Sequence, residues 1–470
     1  MGLDDFLYQK IRDHFPFTPS QDQEALFHQW GTFLRSTQRI FVLNGYAGTG
    51  KTTAVRALVG ALKEMDQKVV LLAPTGRSAK VLAGYTGAPA HTIHKTIYRQ
   101  QTPTSDEENV RGLFSLQPNK NKHTLFVVDE ASLLSNKASG GGLYFGSGHL
   151  LDDLMDYVFS TPSEAGNKLL LLGDSAQLPP IGLDVSPALD PSQLETYGPT
   201  QYMEMKEVLR QAADSGILYN ATLLRHHITH GVQQLPTWKT EGFSDIHCIN
   251  SGDVLECLSD ALSRFGVEDV VVLCRSNKRA NRYNAGIRGR ILYREEQVAR
   301  GDRVMVVRNC YHFTESLEEL DFIANGDVAE ILRIRKYQER YGFHFAEAVL
   351  RFPDYNNVEL DVRLLLDTLT AESPALSEAE QERFFQEVAQ DYATITNRRK
   401  RYTAIREDLY LNALQVKYAS AVTCHKAQGG QWKAVFVDKS FFDDLCTIEQ
   451  LRWYYTAFTR AQEQLYLINF

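Results

Sequence analysis

The sequence predicts an α/β protein with two parallel-sheet units and an antiparallel β insertion in the second. Three observations predict this class. Short, continuously apolar segments alternate with helical patterns near the amino end, the same rhythm returns from Asp269 onward, and the stretch inside the returning part alternates in polarity. Continuous apolarity is typical of parallel strands buried on both faces, whereas alternation is typical of antiparallel strands with one solvated face.

The individual strands follow from these patterns in chain order. The first unit has four apolar segments that each end in a polar or glycine-bearing loop: Arg39–Gly45, Lys68–Gly76, Thr124–Ser132 and Lys168–Gln177. The second unit has four more: Asp269–Asn277, Val416–His425, Lys433–Asp438 and Gln464–Asn469. The alternating segments are Asp327–Tyr337, Phe343–Phe352 and Val358–Leu366. A polar helix follows them, because Ser377 and Glu380 form the pattern of a capping box.

Composition sets limits on the function. The chain has 470 residues, six cysteines and a formal net charge of −8 at pH 7. The cysteines form no CxxC pair, which favours reduced thiols in a cytoplasmic protein without structural zinc. No apolar run approaches the ~18 residues of a membrane span, so we expect no membrane partner. The acidic balance does not exclude a nucleic acid, because binding needs only a local basic groove.

A phosphate-binding loop is the strongest motif. The segment GYAGTGKT at Gly45–Thr52 fits GxxxxGK[ST], in which glycines let backbone amides curl around phosphate oxygens at a helix start. Lys51 is predicted to reach the β- and γ-phosphates, and the Thr52 hydroxyl to bind Mg²⁺. The alternative is a glycine turn that only ends a strand. The predicted nucleotide-binding residues of this loop are Gly45, Ala47, Gly48, Thr49, Gly50, Lys51, Thr52 and Thr53.

Two carboxylates at the end of another apolar strand complete this chemistry. Asp129 is predicted to hold the metal through water, and Glu130 to polarise the attacking water. An apolar strand that ends in Asp-Glu is common by itself. Together with the phosphate loop, it predicts a hydrolase of ATP or GTP.

Six further segments identify a resemblance. In order they are APTGRSAKVL (Ala73–Leu82), HTIHKTIY (His91–Tyr98), GDSAQLPPIG (Gly173–Gly182), VLRQ (Val208–Gln211), VTCHKAQGGQW (Val422–Trp432) and YYTAFTRAQEQL (Tyr454–Leu465). With the phosphate loop they resemble the motifs of superfamily 1 DNA helicases of the 5′→3′ RecD/Dda/Pif branch. The resemblance extends from about Thr18 to Phe470 and implies two tandem RecA-like P-loop domains with ATP between them. It also implies Mg²⁺, movement along single-stranded DNA and unwinding of duplex.

The resemblance implies roles for residues around the nucleotide. Gln23 would read the edge of adenine, the alternative being a solvated glutamine in a first helical turn. Gln177 would sense the γ-phosphate, and Asp174 would support its loop. Arg210 and Arg460 occupy the positions of the family's arginine fingers, with structural arginines as the alternative.

The resemblance also implies a nucleic-acid groove. Its predicted contacts are Thr75, Gly76, Arg77, Thr92, His94, Lys95, Asn277, His425, Lys426 and Gln428, and Gly429 would allow close backbone approach. Two residues of these motifs, one of them outside the predicted contacts, have open alternatives. His94 by itself would more often be a packed histidine, and Trp432 either packs or stacks on a base. The basic run Arg398–Arg401 either contacts DNA phosphates or is a solvated helix end.

The domain boundaries implied by the resemblance include two insertions. The first is a small wedge hairpin, with Phe114 as its only obvious apolar tip, and the second is an SH3-like β domain with a helix that could clamp the single strand. The boundaries are 1–95 and 124–204 for the first RecA-like domain, 96–123 for the wedge, 205–328 and 416–470 for the second RecA-like domain, and 329–415 for the SH3-like insertion.

Two other functions compete with the helicase. A single-strand translocase that displaces proteins but unwinds little duplex shares every motif. A non-enzymatic, nucleotide-gated binding subunit is disfavoured, because Glu130, Arg210 and Arg460 are all present. The preference for DNA over RNA stays open, since it depends on contacts to the 2′-hydroxyl. We expect a cytoplasmic, nucleoid-associated monomer with single-stranded DNA, single/double-strand junctions and a single-stranded-DNA-binding protein as partners.

Overall fold

The computed structural model describes residues 3–100, 114–137, 145–160, 166–208, 214–310, 312–314, 322–439 and 446–470. Within these ranges, no helix is both long enough and apolar enough to cross a bilayer. The chain forms two compact units. Unit 1 comprises Met1–Asp245, Gln428–Gly430 and Asp443–Thr459, and unit 2 comprises Ile246–Ala427, Gln431–Phe442 and Arg460–Phe470.

Helices and strands alternate along most of the chain. The helices are α1 (Leu3–His14), α2 (Gln21–Arg35), α3 (Lys51–Glu64), α4 (Gly76–Thr86), α5 (Ile93–Ile97), α6 (Leu150–Phe159), α7 (Pro191–Leu194), α8 (Gly216–Thr229), α9 (Val254–Phe265), α10 (Asn277–Gly286), α11 (Glu378–Asp391), α12 (Arg398–Arg406) and α13 (Ile448–Phe458). The strands are β1 (Ile40–Gly45), β2 (Lys68–Ala73), β3 (Ala90–Thr92), β4 (Tyr98–Gln100), β5 (Phe114–Leu116), β6 (Thr124–Val128), β7 (Lys168–Gly173), β8 (Thr200–Met205), β9 (Ile246–Ile249), β10 (Val270–Cys274), β11 (Arg303–Val306), β12 (Val328–Arg340), β13 (Phe343–Phe352), β14 (Val358–Leu365), β15 (Leu414–Tyr418), β16 (Ala421–Thr423), β17 (Trp432–Asp438) and β18 (Ala461–Ile468).

A six-stranded parallel sheet lies at the centre of unit 1, in the order β3-β2-β6-β7-β1-β8. The four strands predicted for this part of the chain are confirmed as β1, β2, β6 and β7. Strands β1 and β6 are buried along their whole length, as expected for strands covered on both faces. In a parallel sheet the carboxyl ends of the strands share one edge, so the loops after β1, β6 and β7 meet there.

Helices α1 to α3 cover one face of this sheet. Phe27 and Trp30 of α2 and Leu58 of α3 are buried in one cluster with Phe41 and Leu43 of β1. Phe41 and Leu43 are two residues apart on β1, so their side chains point to the same face of the sheet. The cluster fixes α3, and therefore the loop that precedes it, against the central strand.

A two-stranded antiparallel hairpin, β4 with β5, occupies the region where a wedge was predicted. Its central residues, 101–113, lie outside the described part of the chain. Phe114 was predicted as an apolar tip, but it is only 6% exposed and its ring centroid lies 4.9 Å from that of Phe145. The prediction of Phe114 as an apolar tip is wrong, because its side chain, at the start of β5 opposite Gln100, is buried beside Phe145.

Unit 2 contains a second parallel sheet, in the order β16-β10-β17-β18-β9. The predicted α/β class is therefore confirmed. One predicted strand, Val416–His425, is wrong as a single element. Its first half is β15 of a barrel and its second half is β16 of the sheet, because the chain leaves one set of hydrogen-bond partners for another at Ala419–Ser420.

The alternating segments form a closed barrel from β11, β12, β13, β14 and β15. Ile331, Leu350, Val362 and Leu364 belong to its buried core. A second cluster joins the barrel to α11, where Phe384 packs with phenylalanines of β13. The barrel takes in β11 and β15, which lie before residue 329 and around residue 415. The SH3-like name and the domain boundaries stay predictions.

Candidate functional site

The phosphate loop joins the end of β1 to the start of α3. Gly48 and Gly50 have φ angles of 79° and 77°, values that residues with a Cβ rarely adopt. The ammonium of Lys51 donates to the carbonyl of Gly45 at 3.2 Å and to that of Gly173 at 2.9 Å. The two carbonyls hold Lys51 at the ends of two strands, β1 and β7, and its contact with a nucleotide phosphate stays a prediction.

Buried polar contacts fix the loop from inside unit 1. The Thr49 hydroxyl donates to the carbonyl of Tyr46 at 2.8 Å, and the amide nitrogen of Gln23 donates to the carbonyl of Thr49 at 3.1 Å. The amide oxygen of Gln23 accepts from the backbone N–H of Ser20, which completes a capping box at α2. Gln23 is fully buried. It therefore supports the phosphate loop, and its reading of adenine stays a prediction.

The two predicted carboxylates follow β6 directly. Asp129 accepts hydrogen bonds from the Tyr85 hydroxyl at 2.6 Å and from the backbone N–H of Glu130 at 2.9 Å. Burial, together with the charge of Asp129, raises the pKa of Tyr85, so this tyrosine stays a donor. Glu130 has a φ of 53°. Glutamate rarely adopts this left-handed conformation. The residues that do adopt such strained conformations cluster at functional sites.

The loop after β7 carries Asp174 and Gln177. Asp174 is 2% exposed, and burial raises the pKa of its carboxyl group while nearby Lys51 opposes that shift. It accepts from the Tyr455 hydroxyl at 2.7 Å and from the N–H of Ala176 at 3.0 Å. The buried amide oxygen of Gln177 has no hydrogen-bond partner among the described residues. A buried acceptor of this kind is expected to be satisfied by water or a ligand.

Asn44 links this loop to the phosphate loop. Its amide nitrogen donates to the Ser175 hydroxyl at 2.9 Å, and its amide oxygen accepts from the Ser175 N–H at 2.9 Å. Asn44 is buried at the end of β1, one residue before Gly45. The paired contact fixes the distance between the two loops, and no local sequence pattern predicts it.

Several predicted nucleic-acid contacts lie at helix starts in unit 1. Thr75 caps α4, and Thr92 caps α5, each accepting a backbone N–H of its own helix. Gly76 is the buried first residue of α4, and the next residue, Arg77, is half-buried. Lys95 lies half-buried in α5. Their contacts with nucleic acid stay predictions.

His94 is half-buried beside two aromatic rings. Its ring centroid lies 4.9 Å from that of Phe145 and 5.7 Å from that of Tyr98. Burial lowers the pKa of His94 to about 4. The ring is therefore neutral at physiological pH and offers no charge to a phosphate, which favours the packed-histidine alternative.

The motif from Val422 to Trp432 divides between the units. In unit 1, Gln428 is 8% exposed and donates to the carbonyl of Leu178 at 2.7 Å. A Cβ on Gly429 would lie 3.3 Å from the Cβ of Ser78, so this glycine does permit close approach, here by protein. Trp432 is 4% exposed in β17, as its packing alternative expects.

The remaining predicted contacts lie in unit 2. Asn277 begins α10, and its amide donates to the carbonyl of Glu372 at 3.1 Å. His425 and Lys426 lie in a 3₁₀ turn at Cys424–Ala427. Burial lowers the pKa of Lys426 to about 8, so most of its population is charged at neutral pH.

The two predicted arginine fingers have different outcomes. Arg210 lies outside the described residues. Arg460 is the first residue of the last segment of unit 2, two residues after the end of α13, and its side chain is 2% exposed. Its role as an arginine finger stays a prediction.

Two residues that bond to the predicted site were missed from the sequence. Tyr85 bonds to Asp129 and Tyr455 bonds to Asp174. Tyr455 stands inside the motif YYTAFTRAQEQL, which was the only local signal for it.

Comparisons with known proteins agree with the sequence motifs. The AAA domain model matches residues 19–140, and the UvrD-like helicase C-terminal domain model matches residues 418–468. The chain is 30% identical over 200 residues to the ATP-dependent RecD2 DNA helicase of Deinococcus radiodurans, covering 43% of this chain. It is 29% identical over 119 residues to the ATP-dependent DNA helicase dda of Enterobacteria phage T4, covering 25% of this chain.

These matches span 23% and 27% of the lengths of the two relatives. A solved Pif1 helicase from Bacteroides, in complex with ADP-AlF3 and ssDNA, aligns over 96% of this chain and 92% of its own at 15% identity and a TM-score of 0.48. The ordered motifs, both family models and the similarity to RecD2 and dda confirm the resemblance identified from the sequence: the chain is similar to superfamily 1 helicases of the RecD/Pif-like type.

Proposed function

We propose that the chain is an ATP-dependent DNA helicase that moves 5′→3′ along single-stranded DNA and unwinds duplex. One observation carries the proposal. Lys51 bonds to the carbonyls that end β1 and β7, and the loops carrying Asp129, Glu130 and Gln177 leave the same edge of the sheet. This is where open parallel sheets bind nucleotides.

The residues around this edge fit ATP and Mg²⁺. The loop amides and Lys51 would hold the phosphates, while the exposed Thr52 and the carboxylate of Asp129 offer the hard oxygen ligands that Mg²⁺ prefers. The metal, when bound, would neutralise charge that develops on the phosphate oxygens. Glu130 would accept a proton from the attacking water, and the free acceptor of Gln177 would orient that water.

A nucleic-acid track is supported by charge and by similarity. Arg77, Lys95 and Lys426 are cations that could contact phosphates, which position a strand without reading its sequence. The similar RecD2 and dda proteins are named as ATP-dependent DNA helicases, and Pif1 helicases were solved with ssDNA and on forked dsDNA. We extend these partners, and the 5′→3′ polarity of the branch, to this chain as part of the proposal.

ATP hydrolysis with and without nucleic acid tests the proposal. We expect single-stranded DNA to raise kcat by about tenfold or more, because binding a track should favour the hydrolysing state. Single-stranded RNA of the same sequence in a parallel assay reports the sugar preference. Hydrolysis that neither polymer stimulates would contradict the proposed motor.

A further inference from the structure

The Tyr455 hydroxyl makes two hydrogen bonds within unit 1. It accepts from the backbone N–H of Ala47 at 2.9 Å and donates to the carboxylate of Asp174 at 2.7 Å. Ala47 lies in the phosphate loop, and Asp174 begins the loop that carries Gln177. One buried oxygen atom therefore joins the two loops that are predicted to contact the phosphates.

The surroundings of this hydroxyl make its contacts costly to lose. Tyr455 is 1% exposed and Asp174 is 2% exposed. Burial raises the pKa of Tyr455, and the neighbouring Asp174 raises it further, so the phenol keeps its proton and remains a donor. Removing the hydroxyl would leave a backbone donor and a buried carboxyl oxygen without this partner, away from bulk water.

The residues beside Tyr455 and Asp174 form a second connection. The Thr456 hydroxyl accepts from the backbone N–H of Leu178 at 2.8 Å, and Gln428 donates to the carbonyl of Leu178 at 2.7 Å. Helix α13 thus bonds to the loop on both sides of Gln177. The Tyr455 hydroxyl also reaches the phosphate loop, because it accepts from the N–H of Ala47.

We propose that Tyr455 is a positioning residue for ATP hydrolysis, which aligns the Gln177 loop with the phosphate loop through Asp174 and Ala47. This inference rests on the proposed ATPase function. The Lys51 ammonium bonds to the carbonyls of Gly45 and Gly173 and not to Tyr455, so loss of the Tyr455 hydroxyl should affect the hydrolysis step more than ATP binding. A tyrosine that served only to fill the core would be replaceable by phenylalanine without change in kcat.

Tyr455→Phe tests the proposal, with Tyr454→Phe as its matched control. Tyr454 is equally buried on α13, and its ring packs with Trp238 and Phe458. We expect Tyr455→Phe to lower kcat about tenfold or more while KM for ATP changes less than about threefold, as for an interaction made mainly in the transition state. The control should retain both values.

Two outcomes would overturn the role. If Tyr455→Phe has the kcat and KM of the control, Tyr455 serves only in packing. If the variant differs only by a raised KM, its hydroxyl contributes to substrate binding and not to the hydrolysis step. If the wild-type chain hydrolyses no ATP, the proposed function fails first and this role with it.

A double-mutant cycle keeps the test valid if Tyr455→Phe also lowers thermal stability. Asp174→Asn is combined with Tyr455→Phe, and kcat is measured for all four proteins. If the fold-loss of kcat in the double variant is much smaller than the product of the two single fold-losses, Tyr455 acts through Asp174. Multiplicative losses would overturn it, because the two side chains would then act independently.

Discussion

The Lys51 ammonium lies 2.9 Å from the carbonyl oxygen of Gly173, and 122 residues separate the two along the chain. This contact brings the helix after the phosphate loop to the end of β7. The next residue, Asp174, belongs to the loop that bonds to Tyr455. Lys51 therefore connects the phosphate loop to the strand end from which the Gln177 loop starts.

Lys51→Ala should lower ATP hydrolysis by at least about 100-fold, because the variant loses the only cation that the phosphate-loop motif itself supplies to the transferring phosphate. Steady-state phosphate release measures the effect. Lys63→Ala, which removes an exposed lysine from the last turn of the same helix, is the control and should retain activity. Normal hydrolysis by Lys51→Ala would mean that the nucleotide binds elsewhere and not at this loop.

Glu130→Gln should abolish turnover while nucleotide binding persists. The amide keeps the shape of the side chain but cannot accept a proton from water at neutral pH. Fluorescent ATP-analogue binding and phosphate release separate the two effects. Glu195→Gln alters an exposed glutamate of unit 1 and serves as control. Full turnover by Glu130→Gln would assign the proton acceptor to another residue.

Gly173→Ala should destabilise unit 1. A Cβ at Gly173 would lie 2.6 Å from Cδ2 of Leu189, a side chain that is itself buried. Overpacking of this kind costs about 1–3 kcal/mol, which thermal unfolding would detect. Gly84→Ala is the control, because a Cβ added at Gly84 would have no neighbouring atom within 4 Å outside its own helix, and alanine favours the helix. Equal melting temperatures for both variants would mean that Leu189 moves aside freely.

The contribution of Asp327 to the stability of the barrel should fall as pH rises. Burial raises the pKa of Asp327 to about 7, although its carboxylate accepts from the Ala324 N–H and the Tyr355 hydroxyl. Between pH ~4 and ~7 the folded state keeps a proton that the unfolded chain has lost, so the free energy of unfolding decreases across this range. Above pH ~7 the cost of the buried charge is fully present.

Asp327→Asn removes this titration. Relative to wild type, the variant should gain at least about 1 kcal/mol of stability at pH 8 compared with pH 5. Denaturant unfolding at both pH values measures the difference. Asp361→Asn, whose side chain is 65% exposed on the same barrel, should show no such gain. A gain of the same size at both pH values would mean that Asp327 does not titrate in this range.

The sequence was most informative where chemistry is local. Apolar runs predicted β1, β2, β6 and β7, because a strand buried on both faces needs apolar residues throughout. The sequence was least informative about side-chain contacts between residues that are far apart along the chain. Tyr455 and Asp174 are 281 residues apart, and neither side chain indicates the other. Val416–His425 was predicted as one strand, since no glycine or proline marks its bend.

Burial changed the interpretation of two polar residues. Gln23 and Gln428 were predicted to face ligands, yet both donate to backbone carbonyls inside unit 1. Glutamine is usually exposed, so composition alone favours a ligand or solvent. Only the packed structure reveals that these amides satisfy buried carbonyls of the phosphate loop and the Gln177 loop.

Strand separation on tailed duplexes is the decisive measurement for the proposed helicase activity. One partial duplex carries a 5′ single-stranded tail and the other a 3′ tail, and both are incubated with ATP and Mg²⁺. We expect the wild-type chain to unwind only the 5′-tailed substrate, and Lys51→Ala to unwind neither. Opening of the 3′-tailed substrate would contradict the assigned polarity, and DNA-stimulated hydrolysis with neither duplex opened would instead indicate a single-strand translocase.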